Sequence, residues 1–118
     1  MRHLFEYERS LVAYLFEHAS IPIDLDALEV QQMSDGGMGS LAFAPLDSSR
    51  KFGSSSTECH FYDVDGVPVL VMLILNQDGA PFEIDIWRVD FAPTVGRPLR
   101  MEIVAGIPGK FSRLKFPR

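Results

Sequence analysis

The residues whose types and spacing could do chemistry are concentrated at 82–90, Phe-Glu-Ile-Asp-Ile-Trp-Arg-Val-Asp. Successive side chains of a strand point to opposite faces, so Glu83, Asp85 and Trp87 would share one face. Two carboxylates at this spacing could act as the general acid and the nucleophile or base of a glycosidase. The same trio suits a protein interface, because tryptophan is a favoured anchor and carboxylates pair with Lys or Arg around it. It is also what the solvated face of an ordinary strand looks like, and the three interpretations stay open here.

Other signatures of catalysis or ligand binding are missing from the sequence. There is no nucleophile elbow, Walker loop, CxxC, HExxH or EF-hand pattern. The glycine-rich run 36–39 lacks a strand–turn–helix context and is typical of a hairpin turn. Cys59 and His60 are neighbours on a predicted strand, so they point apart and cannot form a nucleophile and base pair. We therefore expect no enzyme activity, no catalytic residue, no cofactor and no metal.

Charge is divided unevenly along the chain. Residues 1–96 carry five Lys and Arg against fifteen Asp and Glu, a net charge of −10, whereas residues 97–118 carry six against one, a net charge of +5. An acidic body repels nucleic acid and favours basic partners. The basic end either folds back on this body or reaches an anionic partner.

Composition and length predict a single domain of 1–118, with 105–118 as a basic and loosely ordered tail. Of the 118 residues 47% are hydrophobic and 23% are charged, which is the balance of a globular protein. No apolar stretch reaches the roughly 18 residues that span a bilayer, and the N-terminus has no apolar signal core. With Cys59 as the one cysteine, a cytoplasmic protein without membrane contact is expected.

The elements that must position these residues follow from periodicity. Apolar spacing of three and four predicts a helix over Leu4–His18, which Pro22 brings to an end. Strands are predicted at 29–33 and 38–44 on either side of the glycine-rich turn, and 45–57 is predicted to be a mobile surface loop.

Three strands at 58–64, 67–75 and 82–91 form a predicted meander, divided by two-residue turns at Asp65-Gly66 and Asp78-Gly79. This register sets His60 opposite Val71, and Val71 opposite Ile86. A short strand at 99–104 follows. The expected fold class is α+β, with the N-terminal helix packed on an antiparallel sheet of about five strands that contains this meander.

Three segments carry a resemblance: DGGMGSL at 35–41, FYDVDG at 61–66 and FEIDIWRVDF at 82–91. They resemble a small uncharacterised bacterial domain family over roughly residues 2–98. That family has no assigned catalytic residues, so the resemblance implies no mechanism. In size and acidity the chain is also similar, more loosely, to the immunity proteins of contact-dependent growth inhibition toxin systems.

The function expected from these features is binding. The preferred hypothesis is a cytoplasmic immunity protein that binds and neutralises a cognate protein toxin, a basic nuclease or similar enzyme. Its partner-binding residues would be Glu83, Asp85 and Trp87, with Asp63 and Asp65 at the neighbouring turn. The alternatives are a small hydrolase that uses Glu83 and Asp85, and a structural domain.

Overall fold

The computed structural model describes residues 1–111, which form one helix and one antiparallel sheet. The helix is α1 (Arg9–His18), and the strands are β1 (Arg2–His3), β2 (Glu29–Gln32), β3 (Leu41–Phe43), β4 (Phe52–Tyr62), β5 (Pro68–Asn76), β6 (Pro81–Arg88) and β7 (Val104–Ala105). The strand order is β1-β2-β3-β6-β5-β4-β7. The α+β class is confirmed, but the sheet has seven strands instead of about five, because two-residue strands such as β1 and β7 are too short to produce an alternating pattern.

The helix ends where it was predicted to end but begins later. A 3₁₀ turn at Glu6–Glu8 precedes α1. The Glu8 carboxylate explains this start, since it accepts the backbone N–H of Phe5 at 2.8 Å and the Arg2 guanidinium at 2.7 Å. These two contacts hold the chain in an extended entry that leads into the helix only at Arg9.

The main core lies between α1 and one face of the sheet. Its buried members include Leu11, Val12, Leu15 and Phe16 of the helix, together with inward-facing side chains of β2 to β6. Val71 and Ile86, which the predicted register sets opposite each other, are both in this cluster. The strand residues of this core alternate with those of the opposite face, as a pleated sheet requires.

The predicted register is correct between β5 and β6, although the predicted turn is wrong. Val71 lies opposite Ile86 and Leu73 lies opposite Ile84. The hairpin closes with the N–H of Asn76 donating to the carbonyl of Ala80, so the loop has three residues. An irregularity after Ile74 takes up the extra residue and restores the pairing.

The register between β4 and β5 is shifted by one residue from the prediction. Phe61 pairs with Val69, and His60 pairs with Leu70 instead of Val71. The reason is the turn, in which the N–H of Asp63 donates to the carbonyl of Val67 and closes a three-residue loop. Here Gly66, with φ 84°, takes the left-handed position that such loops need.

Strand β4 begins at Phe52, so the second half of the predicted loop 45–57 is strand instead. Ser54 and Ser55 pair with β5 although their side chains are exposed. Serine-rich segments of this kind have neither the apolar alternation nor the β-branched residues that identify a strand. Gly53 is needed there, because a Cβ atom would lie 2.1 Å from the carbonyl oxygen of Asn76.

The C-terminal segment is not the predicted strand 99–104. It forms a 3₁₀ turn at Arg100–Glu102 and then the two-residue β7, which pairs with Cys59 and His60 of β4. The segment that follows crosses the sheet face remote from α1, where Ile107 and Phe111 pack near Trp87. The rest of the predicted tail, residues 112–118, lies outside the described residues.

Within the described residues no helix has the length and apolar character that crossing a membrane would require.

Truncating Val71 or Ile86 to Ala should lower the free energy of unfolding by about 2 to 4 kcal/mol, because each leaves a cavity beneath α1. Denaturant unfolding measures the loss, and Val64→Ala on the exposed turn is the matched control, with almost no effect. Losses below about 0.5 kcal/mol at both core positions would contradict this packing.

Ile107→Ala should destabilise the protein by about 1 kcal/mol and shift tryptophan emission to longer wavelength, because Ile107 helps to cover the only tryptophan, Trp87. Fluorescence-monitored urea unfolding gives both quantities. An unchanged emission maximum would mean that the segment does not cover Trp87 in solution.

Candidate functional site

The face of β6 that carries Glu83, Asp85 and Trp87 is largely covered. Asp85 is 7% exposed and Trp87 is 5% exposed, while Glu83 is half-buried. Trp87 packs with Met38 and Leu70 under the segment that carries Ile107 and Phe111. A partner could reach Trp87 only if that segment moved away, so a contact through this face remains a prediction.

The other two residues that were predicted to bind a partner, Asp63 and Asp65, meet at a buried arginine. The Arg88 guanidinium lies 2.7 Å from Asp63, 2.5 Å from Asp65 and 2.8 Å from Asp90. Arg88 belongs to β6 but lies on the face opposite Trp87, at the end of the sheet where β4 finishes and β5 begins. We call these four residues the Arg88 network.

Asp63 is the structural centre of this network. Besides Arg88, its carboxylate accepts the backbone N–H groups of Val64, Val95 and Gly96 at 2.8, 2.8 and 2.9 Å. Burial acts to raise the pKa of Asp63, but the three backbone N–H groups and Arg88 outweigh it, so the pKa lies below its usual value. One buried carboxylate thus ties the turn after β4 to a segment more than thirty residues later.

Asp65 and Asp90 form the outer half of the network. Their side chains are half-exposed, and hydrogen bonds from Arg88 lower the pKa of each carboxyl group. These hydrogen bonds also raise the pKa of Arg88, and the bond to Asp90 has the largest effect, followed by the bond to Asp65. Three carboxylates around one guanidinium give the Arg88 network a net charge of about −2 near neutral pH.

The loops held by the network expose apolar side chains. We call the turn 63–67 and the segment 89–98 together the loop end. Val64 is 76% exposed, Val95 is 68% exposed and Phe91 is 60% exposed. Phe91 also has φ 63°, a conformation that bulky residues rarely adopt and that is found at functional sites. The loop end therefore presents apolar groups among half-exposed carboxylates.

A groove of about 250 Å³ lies beside the loop end, between the end of β4 and the segment that leads to the 3₁₀ turn at Arg100–Glu102. Its lining includes Tyr62, Val64, Gly96, Arg97, Pro98 and Glu102. The Glu102 carboxylate accepts the backbone N–H of Leu99 at 2.7 Å, which fixes it at the rim. The neighbouring cavity under α1, lined in part by Glu8 and Arg97, holds only about 10 Å³ and has room for no more than a water molecule.

Sequence analysis did not identify Arg88 or Asp90 as site residues. Strand alternation places Arg88 on the face away from Trp87, whereas the predicted site residues of this strand lie on the tryptophan face. The signal was present as acids at 63, 65 and 90 around a lone arginine in a strand, since a buried arginine needs carboxylate partners. Among residues 1–111, no group of three or more His, Cys, Asp or Glu side chains is arranged to hold a metal ion.

Asp63→Asn should lower the free energy of unfolding at pH 7 by on the order of 2 kcal/mol, because the amide offers fewer acceptors to four donors. The wild-type protein should lose stability as the pH falls from about 5 towards 2, since the pKa values of Asp63, Asp65 and Asp90 are all lowered in the folded state. That loss should be smaller in Asp63→Asn.

Urea unfolding across this pH range tests the expectation. Asp78→Asn is the matched control, because Asp78 is an exposed carboxylate in the turn between β5 and β6, away from the network. Identical pH profiles for wild type and Asp63→Asn would show that the carboxylate does not stabilise the fold.

Comparison with known proteins gives a family but no activity. No curated protein and no solved structure matches the chain. A family model described as a domain of unknown function matches residues 1–98, which include α1, strands β1 to β6 and the whole Arg88 network. The resemblance expected from the motifs at 35–41, 61–66 and 82–91 is thereby confirmed for an uncharacterised domain family, whereas no match to immunity proteins is found. The chain belongs to the domain family of unknown function DUF6984.

Proposed function

We propose that this protein acts by binding another protein through the loop end. The observation that supports the proposal is the Arg88 network, which holds the loops that expose Val64, Phe91 and Val95 and includes the half-exposed carboxylates of Asp65 and Asp90. Protein interfaces combine an apolar, aromatic centre with a polar rim. Loops already fixed by buried hydrogen bonds lose little conformational entropy on binding, which favours affinity.

The partner we propose has a basic surface. The Arg88 network has a local charge of about −2 near neutral pH, and residues 1–96 have a net charge of −10. Complementary charge accelerates encounter and rejects acidic partners. The same charge disfavours nucleic acid as the ligand, because phosphate groups would be repelled.

The biological role we propose is that of a cytoplasmic immunity protein for a cognate bacterial toxin of the basic nuclease type. A nuclease needs a cationic surface to hold the phosphate backbone of its substrate. An acidic protein with an apolar centre is suited to cover such a surface and block it. Asp63 serves this role by positioning Val64 and Val95, and Asp65 by direct contact with the cationic partner.

The hydrolase alternative, with Glu83 and Asp85 as paired carboxylates, has less support. Asp85 is buried, and neither the groove nor the small cavity includes either residue in its lining. Glycoside hydrolysis requires a cleft in which both carboxyl groups flank the sugar. We therefore advance the binding function alone.

The test uses the toxin domain that the proposed role predicts to be encoded directly upstream, because immunity genes follow the genes of their toxins. Val64→Lys should raise the dissociation constant for that domain at least about 30-fold, since it replaces a central apolar group with a charge that repels a basic partner. Isothermal titration calorimetry measures the affinity, and growth of cells that express the toxin domain reports neutralisation.

Leu46→Lys is the matched control. Leu46 is likewise exposed, but it lies next to Pro45 at the opposite end of the sheet, where Arg50 bonds the carbonyls of Pro45 and Pro81. It should bind like the wild type. Equal affinity of Val64→Lys and Leu46→Lys would place the interface elsewhere, and a wild-type protein that neither binds nor protects against the upstream product would overturn the proposed role.

A further inference from the structure

We infer that the groove beside the loop end receives an arginine side chain of the protein partner. The inference rests on the proposed function and specifies its chemistry. The groove adjoins the loop end through Val64 and Gly96, so a protein on Val64 and Val95 would have this groove beneath its margin. A pocket next to an apolar contact is where interfaces place their strongest anchors.

The size of the groove suits one long side chain. Its volume of about 250 Å³ falls below the roughly 300 Å³ at which pockets begin to hold drug-sized ligands. Gly96 leaves space in the groove, because a Cβ atom at this position would lie 3.2 Å from the Val64 side chain. A larger residue at 96 would narrow the space beside Val64.

The polar groups of the groove are suited to bind a cation. One oxygen of Glu102 accepts the Leu99 N–H, and no hydrogen bond or ion pair joins the other oxygen to the described part of the chain. Tyr62 is 56% exposed, and its hydroxyl makes no hydrogen bond to any residue from 1 to 111. A carboxylate oxygen and an aromatic ring that also carries a polar oxygen form a combination that attracts a cationic side chain.

Arg97 also lines the groove, but its guanidinium is directed elsewhere. Its Nη1 donates to the carbonyl of Gly96 at 3.0 Å. Its Nη2 packs so closely on Gly39 that a Cβ atom there would be 2.0 Å away. Asp63 also lines the groove, but its carboxylate is engaged by Arg88 and three backbone N–H groups. The carboxylate of Glu102 is therefore the charged group left to meet a ligand, and an anion would be repelled by it.

Arginine fits these groups better than lysine does. A guanidinium is planar, stacks on an aromatic face and offers several N–H donors in a fixed fork. Tyr62 supplies the face, and the open Glu102 oxygen supplies an acceptor for the N–H groups. The ammonium of lysine is a strongly hydrated point charge and would use the aromatic face less well.

The test is an NMR titration of the full chain with Nα-acetyl-arginine methylamide. The amides of Val64 and Gly96 should shift in a saturable way, with a dissociation constant on the order of 1 mM. The citrulline analogue, which has the same shape without the charge, should bind at least about tenfold more weakly, and the lysine analogue should also bind more weakly.

Two variants assign the binding to named groups. Glu102→Gln keeps an acceptor for the Leu99 N–H but removes the charge, and it should weaken the arginine probe about tenfold. Tyr62→Phe keeps the ring and should retain most of the affinity, whereas Tyr62→Ala should lose it. Equal binding of the citrulline probe, or an unchanged affinity in Glu102→Gln, would overturn the inference.

The same variants separate this inference from the proposed function. If Val64→Lys weakens binding of the toxin domain while Glu102→Gln does not, the interface stands and the arginine groove is wrong. If the arginine probe binds through Glu102 and Glu102→Gln also weakens the toxin domain, both are supported. If the probe binds but the toxin domain does not, the proposed partner is wrong, and with it the claim that the groove serves that interface.

Discussion

Arg88 and Asp63 place two opposite charges inside the protein, and the geometry of one end of the sheet depends on their contact. A buried charge is costly unless its partners are close and its hydrogen bonds are complete. Asp63 meets this requirement with four donors, three of them backbone N–H groups from two separate loops. Since those loops cannot move without exposing the carboxylate or leaving it unpaired, the pair fixes their positions.

The two faces of the sheet are covered by different parts of the chain. The face beneath α1 is core, and the opposite face is covered near Trp87 by the segment that carries Ile107 and Phe111. The apolar side chains that remain exposed on fixed backbone include Val64, Phe91 and Val95 at the loop end. The surface proposed to bind a partner is therefore a direct consequence of how the buried arginine is satisfied.

Much of the fold was predictable because period-two alternation is a strong signal. It predicted the three strands of the meander and the pairing of Val71 with Ile86 correctly, but not the register between β4 and β5. Turn length was not predictable from an Asp-Gly pair, since two-residue and three-residue loops both accept glycine. Asp63 and Asp65 were predicted as site residues, but their contacts with Arg88 join residues more than twenty positions apart, which a local pattern does not reveal. The cover over Trp87 was missed because its residues are separated by glycine and proline and show no periodicity.

The most direct test of this account is native-state hydrogen exchange at the amides of Val95 and Gly96. Neither amide belongs to the sheet, and both donate to the buried Asp63 carboxylate. The account predicts slow exchange at both in the wild type, and fast exchange in Arg88→Met while the core amide of Val71 stays slow. Fast exchange of Val95 and Gly96 in the wild-type protein would contradict it, because the loop end would then not be held by the charge pair.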